Sequence, residues 1–72
     1  MFKVDSKKIR GLMFERGLSI EEFAKSAQIN GLTARRAIQD GSTLSAKTIS
    51  TLAKFFGVGG NELIITADKE VA

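Results

Sequence analysis

The sequence predicts an all-α fold of four to five short helices, joined by tight turns within a single domain of 72 residues. Apolar residues recur at three- and four-residue intervals, as they do on the buried face of an amphipathic helix. Serine, aspartate or asparagine precedes each main segment, and these residues are typical of helix starts. A chain of this size buries only about 60% of its unfolded surface, so we expect one modest core and no second domain.

Cysteine and histidine are both absent from the sequence. Without cysteine, neither a disulfide framework nor a thiolate zinc site can stabilise so small a core. Most metal sites, and most nucleophilic or general-base chemistry near neutral pH, also lack their usual side chains. We therefore expect no enzymatic activity, no cofactor and no bound metal.

The charge balance is mildly basic, with a formal net charge of +3 and a pI near 9.6. Such a balance favours an anionic partner. No apolar run reaches the roughly 18 residues of a membrane span, and the first residues, MFKVDSKK, lack the apolar stretch of a secretory signal. These features indicate a cytoplasmic protein without membrane contact.

The first helix is predicted over residues 7–16, after a cap at Asp5 or Ser6. Its cations are interpreted mainly as solubilising: Lys7, Lys8 and Arg10. Large apolar residues of this helix and of the fourth are assigned to the core: Met13, Phe14, Phe55 and Phe56. A chain this small cannot bury all of them, and whichever stays exposed is a candidate subunit contact.

The second and third helices form the central pair. Residues 20–27 follow a capping box, in which Ser19 accepts from the Glu22 amide and the Glu22 side chain reaches back to Ser19. After a turn at residues 28–30, residues 31–39 are predicted as the third helix. Its buried side is expected to carry Ala34, Ala37 and Ile38, so that Arg35, Arg36 and Gln39 point outward.

The remaining elements are predicted from shorter signals. A fourth helix is expected over residues 46–56 and a last turn or short helix over residues 61–64. Residues 64–66 are expected to pair with residues 2–4, which would place a short strand pair between the chain ends. Residues 68–72 are polar, and we expect them to fray.

Several stretches match, in order and spacing, the residue pattern of a known protein family. They are Ile9, Arg10, Leu12 and residues 15–19 at the first helix and its exit, residues 21–25 in the second helix, Ile29, Asn30 and Thr33 at the turn, and Gly41, Ser45, Lys47, Thr48, Leu52, Ala53, Gly57 and Val58 after it. Together they resemble the lambda-repressor and Cro family of helix-turn-helix regulators, also called XRE-type, over roughly residues 7–64. The resemblance implies a lambda-repressor-like fold whose third helix enters the major groove of DNA.

Four positions depart from the family pattern. Gln28 stands where the family usually has glycine, so it must adopt a left-handed or compensating conformation at some energetic cost. Ala34 and Ala37 are smaller than the aliphatic residues that the family favours. Ile20 replaces a glutamine that often contacts the DNA backbone, and that contact should be missing here.

The resemblance implies a set of base-contacting residues on the third helix: Gly31, Leu32, Arg35 and Arg36. Arginine suits this role because its planar fork can donate two hydrogen bonds to guanine O6 and N7. Leu32 would contact a thymine methyl group, and Gly31 would permit close approach. One of the two arginines is also suited to phosphate, and both are compatible with a merely solvated face.

Phosphate contacts are expected from groups that frame the third helix: Asn30, Thr33, Gln39, Ser42, Thr43, Ser45 and Lys47. Hydroxyl and amide groups near helix N-termini suit anions because backbone N–H groups and the helix dipole favour negative charge there. Purely structural roles stay open for three of these residues, since Thr33 can simply reinforce the helix start and Ser42 and Thr43 can be loop residues.

The leading functional hypothesis is a phage-type or mobile-element transcriptional repressor that binds double-stranded DNA and acts by occlusion. The family implies a homodimer on half-sites about 34 Å apart, and no small-molecule effector is expected. The alternative is a protein-interaction module of the same fold, such as an antitoxin-like component, which an exposed Phe14 or Phe55 would favour. RNA binding is a weaker hypothesis, because A-form major grooves exclude a helix and the chain has no Tyr or Trp for stacking.

Overall fold

A computed structural model of the chain describes residues 1–65 as a helical fold with one small antiparallel strand pair. The elements in chain order are β1 (Phe2–Lys3), α1 (Ser6–Glu15), α2 (Ile20–Ala27), α3 (Gly31–Ala37), β2 (Thr43–Leu44), α4 (Ala46–Phe56) and a final 3₁₀ helix (Gly60–Leu63). The predicted helical class is confirmed. Within the described part of the chain, no helix is both long and apolar enough to cross a bilayer.

Each α-helix begins at a polar side chain that accepts a hydrogen bond from a backbone N–H of the first turn. These capping residues are Asp5, Ser19, Asn30 and Ser45. The cap at Asp5 settles the choice between Asp5 and Ser6, and it starts α1 one residue earlier than predicted. The capping box of α2 is also present, with the Ser19 N–H donating to the Glu22 carboxylate at 3.0 Å. Hydrogen bonds from the Ser19 backbone and side chain lower the pKa of Glu22 from its ordinary value.

Three helices end in the same kind of turn. A backbone N–H beyond the helix donates to the carbonyl five residues earlier: Leu18 to Met13, Ile29 to Ala24 and Val58 to Ala53, at 2.9 to 3.0 Å. The residue before each donor is left-handed: Gly17, Gln28 and Gly57. The expected left-handed conformation of Gln28 is therefore present, with φ 59° and ψ 43°. Glycine adopts this conformation freely, whereas a side chain makes it cost about 1–2 kcal/mol.

Helix α3 is shorter than the predicted span of residues 31–39. It ends at Ala37, and Ile38 leaves helical geometry with φ −105° and ψ 4°. The carbonyl of Ile38 accepts a hydrogen bond from the Arg10 guanidinium of α1 at 2.6 Å. That contact satisfies the carbonyl from outside the helix, and Gln39 lies in the turn that follows.

Strand β1 pairs with a segment that the sequence analysis did not predict as a strand. Strand β1 pairs antiparallel with β2, with Phe2 opposite Leu44 and Lys3 opposite Thr43. The predicted contact between the chain ends is confirmed at one bridge, Val4 with Ile64, which the Ile65 N–H extends by donating to the Lys3 carbonyl at 2.9 Å. Residues 66–72 lie outside the described part of the chain, and with them the rest of that pairing and the expected fraying. The last helix, predicted over residues 61–64, is the 3₁₀ helix that ends at Leu63.

The core is centred on Phe23, which is fully buried. Its ring stacks on Phe56 with 5.6 Å between centroids and lies 6.1 Å from the half-buried Phe55. Arg16, the residue that follows α1, holds its guanidinium 5.4 Å from the ring centroids of Phe55 and Phe56. It also donates a hydrogen bond to the Phe56 carbonyl at 3.0 Å. The core thus joins α1, α2 and α4 around one aromatic cluster.

The assignment of Phe14 to the core is wrong, because its side chain is 87% exposed. The inner face of α1 is set by Ile9 and Met13, which are four residues apart and both buried. At about 100° per residue, Phe14 points well away from Met13 and toward solvent. Met13 and Phe56 are buried as expected.

The left-handed turn at Gln28 generates a stability prediction. We expect Gln28→Gly to raise the free energy of unfolding by about 0.5–1 kcal/mol, because relief of left-handed strain exceeds the added chain entropy of glycine. Urea denaturation measures the change. As a control, Ser26→Gly, within helix α2, should lower stability by a similar amount. A loss of stability in Gln28→Gly equal to that of the control would contradict the strain argument.

Candidate nucleic-acid interface

Helix α3 offers an outward face because only two of its side chains are buried, Ala34 and Ala37. The predicted base-contacting residues are all exposed on this helix: Gly31, Leu32, Arg35 and Arg36. At about 100° per residue they fall within an arc of about 140°. Leu32 is 61% exposed. The structure therefore brings these four positions together on one face, opposite the two buried alanines.

The charged side chains that α3 contributes to this face are all cationic. Arg35 and Arg36 are the ionisable residues in the sequence of α3, which has no acidic side chain. Beside it, a shallow cleft of about 310 Å³ separates α2 from α3 and is lined by Ile20, Glu21, Ala24, Lys25, Gly31 and Arg35. Ala24 is half-buried against the core on the α2 side of the cleft, and on the α3 side a Cβ built at Gly31 has no atom within 4 Å.

The N-terminal end of α3 has a polar rim. The Asn30 side-chain oxygen accepts from the Thr33 N–H at 2.7 Å, so the cap uses the acceptor of this amide. Its NH₂ group has no hydrogen-bond partner among residues 1–65 and can donate to an external acceptor. Thr33 is half-buried beside it. Asn30 thus combines the structural role of a cap with a free pair of donors.

The other predicted phosphate-contacting residues lie in the segment between α3 and α4. Gln39, Thr43, Ser45 and Lys47 are exposed, and Ser42 is half-buried. Thr43 belongs to β2 and is not a loop residue. The Ser45 hydroxyl accepts from the Thr48 N–H at 3.3 Å and lies 3.0 Å from the Thr48 hydroxyl. The set is therefore divided between the start of α3 and the segment that leads into α4.

Sequence analysis missed the groups that hold the C-terminal end of α3. Arg10 Nη1 donates to the Ile38 carbonyl at 2.6 Å and to Asp40 Oδ1 at 3.3 Å. The buried Ser6 hydroxyl donates to the same carboxylate oxygen. We call these contacts the α1–α3 anchor. Its available sequence signal was weak: Ser6 and Arg10 are four residues apart on one edge of α1, but nothing local identifies Asp40 as their partner.

The anchor also changes the acidity of Asp40. Hydrogen bonds from Ser6 and then from Arg10, together with the positive charge of Arg10, lower the pKa of Asp40 from its ordinary value. The cation at this end of α3 is placed where helix carbonyls and the dipole favour positive charge. Arg10 is therefore a structural contact of α3, and not mainly a solubilising residue.

Comparison of the chain with protein-family models, with curated proteins and with solved structures finds no match. What the α3 face does is therefore inferred from its own residues and geometry. The face carries an exposed arginine pair with an apolar side chain beside it, on a helix held at both ends.

The lowered pKa of Asp40 generates a prediction for acid pH. A depressed folded-state pKa contributes stability above the unfolded value near 3.8, and this contribution is lost as pH falls through the folded pKa. We expect Asp40→Asn to lower Tm near neutral pH and this difference to shrink below about pH 4. Calorimetry from pH 7 downward measures it.

Glu22→Gln provides the matched comparison, since the pKa of Glu22 is lowered by a different partner. It should remove its own share of the acid sensitivity and leave that of Asp40, so the double variant should lose both. If the Tm curves of the unmodified chain and of Asp40→Asn stay parallel through the whole acid range, Asp40 in the α1–α3 anchor is not a cause of the acid sensitivity.

Proposed function

We propose that the protein binds double-stranded DNA sequence-specifically, with α3 in the major groove. The observation that carries the proposal is the exposed pair Arg35 and Arg36 on a helix that has no acidic residue and is held at both ends. A helix with its side chains is about 10–12 Å across, and the B-form major groove is about 12 Å wide. This match of shape and charge favours DNA over a generic anion.

Each outward residue of α3 has a separate task in the proposed complex. Arg35 and Arg36 donate to the O6 and N7 acceptors of guanine. Leu32, which lacks hydrogen-bonding groups, contacts a thymine methyl group. Gly31 lets the start of the helix approach the base edges. Direct readout is thus concentrated within six consecutive residues.

Phosphate contacts frame this readout in the proposal. The free NH₂ donors of Asn30 and the hydroxyl of Thr33 lie at the start of α3, and Gln39, Ser42, Thr43, Ser45 and Lys47 follow it in the chain. Contacts of this kind set the register and orientation of a protein on DNA and carry no sequence information themselves.

The proposed biological role is transcriptional repression in the cytoplasm by occupation of an operator, of the kind that lambda-repressor-like regulators of phages and mobile elements perform. A single short recognition helix reads few base pairs, so we propose binding as a homodimer to half-sites about one helical turn apart. Affinity then comes from two modules, each of which binds weakly alone.

One observation favours the protein-interaction alternative. Phe14 is 87% exposed on α1, and α1 is not the helix proposed to read bases. An exposed phenylalanine on a separate face suits contact with another protein surface, as in an antitoxin-like component. The two roles use different helices, so each can be tested without the other.

Binding-site selection tests the base readout. We expect a random duplex library to yield one enriched motif with the unmodified chain. Arg35→Ala or Arg36→Ala should weaken binding to it by about 1–3 kcal/mol and relax the preference at a defined position. Lys54→Ala, an exposed cation in the last turn of α4, serves as the matched control and should leave the motif unchanged. Failure of the library to enrich any motif would refute sequence-specific binding.

Salt dependence separates phosphate contacts from base contacts. The logarithm of the binding constant should fall linearly with the logarithm of salt concentration, by about 0.9 for each phosphate neutralised. Lys47→Ala should reduce that slope by about one while keeping the selected motif. If Lys47→Ala instead alters the motif and leaves the slope intact, its assignment to phosphate is wrong.

A further inference from the structure

The outward face of α1 is organised around Phe14. At about 100° per residue, Lys7, Gly11 and Phe14 fall within one arc of about 60°, opposite the buried residues Ile9 and Met13. Phe14 has the most exposed side chain among the large hydrophobic residues of positions 1–65. Single exposed apolar residues are common and imply nothing alone, so the residues around Phe14 decide whether this face binds a partner.

Gly11 provides a depression beside that side chain. It lies three residues before Phe14, on the same face, and a Cβ built at Gly11 has no atom within 4 Å. A glycine inside an exposed helix costs about 0.5–1 kcal/mol relative to alanine, and no intramolecular neighbour requires it here. The face therefore presents a projecting ring next to bare backbone, which is a shape complementary to itself when two helices run antiparallel.

The charges of α1 are reversed relative to its dipole. Its first turn contains Lys7 and Lys8 without an acidic residue, and its last turn contains Glu15 without a basic one. Helices are stabilised by the opposite arrangement. By contrast, α2 has acidic residues in its first turn, and α2, α3 and α4 all have cations in their last turns. Within a single copy, only the residues that flank the helix, Asp5 at the N-cap and Arg16 at the C-cap, have the favourable sign.

We propose that the outward face of α1 binds the same face of a second copy of this chain, with the two helices antiparallel. In this arrangement Phe14 of each copy packs over Gly11 of the other. Glu15 of each copy lies near Lys8 of the other, on the flank that both residues share. Antiparallel pairing also places the acidic end of one helix beside the positive end of its neighbour.

The proposed contact is small and partly electrostatic, which determines how it must be measured. One aromatic side chain and two symmetry-related ion pairs give a weak dimer that forms at high protein concentration and loosens with added salt. Lys8 forms an ion pair with Glu62 at 3.8 Å in which both side chains remain about half exposed, so in the proposed dimer it contacts Glu62 of its own copy and Glu15 of the other. The contact supplies an interface for the homodimer proposed above, and it forms without DNA.

Sedimentation equilibrium of the whole chain, without DNA, from micromolar to millimolar concentration tests the proposal. We expect a monomer–dimer equilibrium whose dissociation constant rises at least tenfold in Phe14→Lys. Gly11→Gln is the sharper variant. It should stabilise the fold by raising helix propensity while weakening the dimer at least tenfold, because the long side chain occupies the place of the partner's ring.

The charge contact has its own pair of variants. Glu15→Lys should weaken association, and adding Lys8→Glu should restore it, because the swapped pair attracts again. Lys54→Glu, a charge reversal at an exposed residue of α4, is the control and should leave the dissociation constant unchanged. Circular dichroism confirms that each variant is folded.

Two results would overturn the proposal. One is a chain that stays monomeric up to millimolar concentration. The other is a dimer that keeps its dissociation constant in both Phe14→Lys and Gly11→Gln, which would place the interface elsewhere. Because no DNA is present, either result leaves the proposed DNA binding to be judged by its own experiments.

Discussion

The rest of the structure depends on the contact between Phe23 of α2 and Phe56 of α4. Both side chains are buried, and their rings stack with 5.6 Å between centroids. Arg16 joins α1 to the same cluster by lying over the Phe56 ring and donating to its carbonyl. Removing a buried phenylalanine side chain costs about 3–5 kcal/mol, which approaches the whole stability of a small domain. Three of the four α-helices described therefore share one energetic centre.

Helix α3 is held differently. Its buried side chains are two alanines, and each methyl group contributes only about 0.8 kcal/mol on burial. Its position therefore depends also on the half-buried Ile29 and Ile38 that flank it, and on polar contacts at its ends, the Asn30 cap and the α1–α3 anchor through Arg10. The left-handed Gln28 sets the direction in which the chain enters the helix. A helix attached in this way can change its outward residues without disturbing the aromatic core.

What the sequence predicted correctly was mostly local. The caps at Ser19, Asn30 and Ser45 act within three residues, so their patterns are readable along the chain. The exposure of Arg35 and Arg36 follows from helical periodicity once the alanines before and after the pair are assigned to the core. The comparisons leave open whether this face binds DNA, so that part remains a prediction.

The predictions that were wrong depended on contacts between distant residues or on which side of a helix faces the core. The end of α3 at Ala37 coincides with a hydrogen bond from Arg10, 28 positions from Ile38, and β2 exists because β1 lies beside it. Phe14 was misassigned because several apolar residues in one short helix leave its inward direction ambiguous until the neighbouring helices are placed. Nothing in local sequence carries this information.

Helix α1 connects the two proposed surfaces. One edge of it carries Arg10, which holds the end of α3, and its outward face carries Phe14, which is the proposed contact with a second copy. If pairing of two copies restrains α1 as proposed, Arg10 is presented to α3 at less cost in conformational entropy. If both surfaces act as proposed, linkage requires the effect to be reciprocal, so DNA that favours an ordered α3 must also favour the dimer. The anchor between Arg10 and Ile38 is then the physical contact through which the two binding events influence each other.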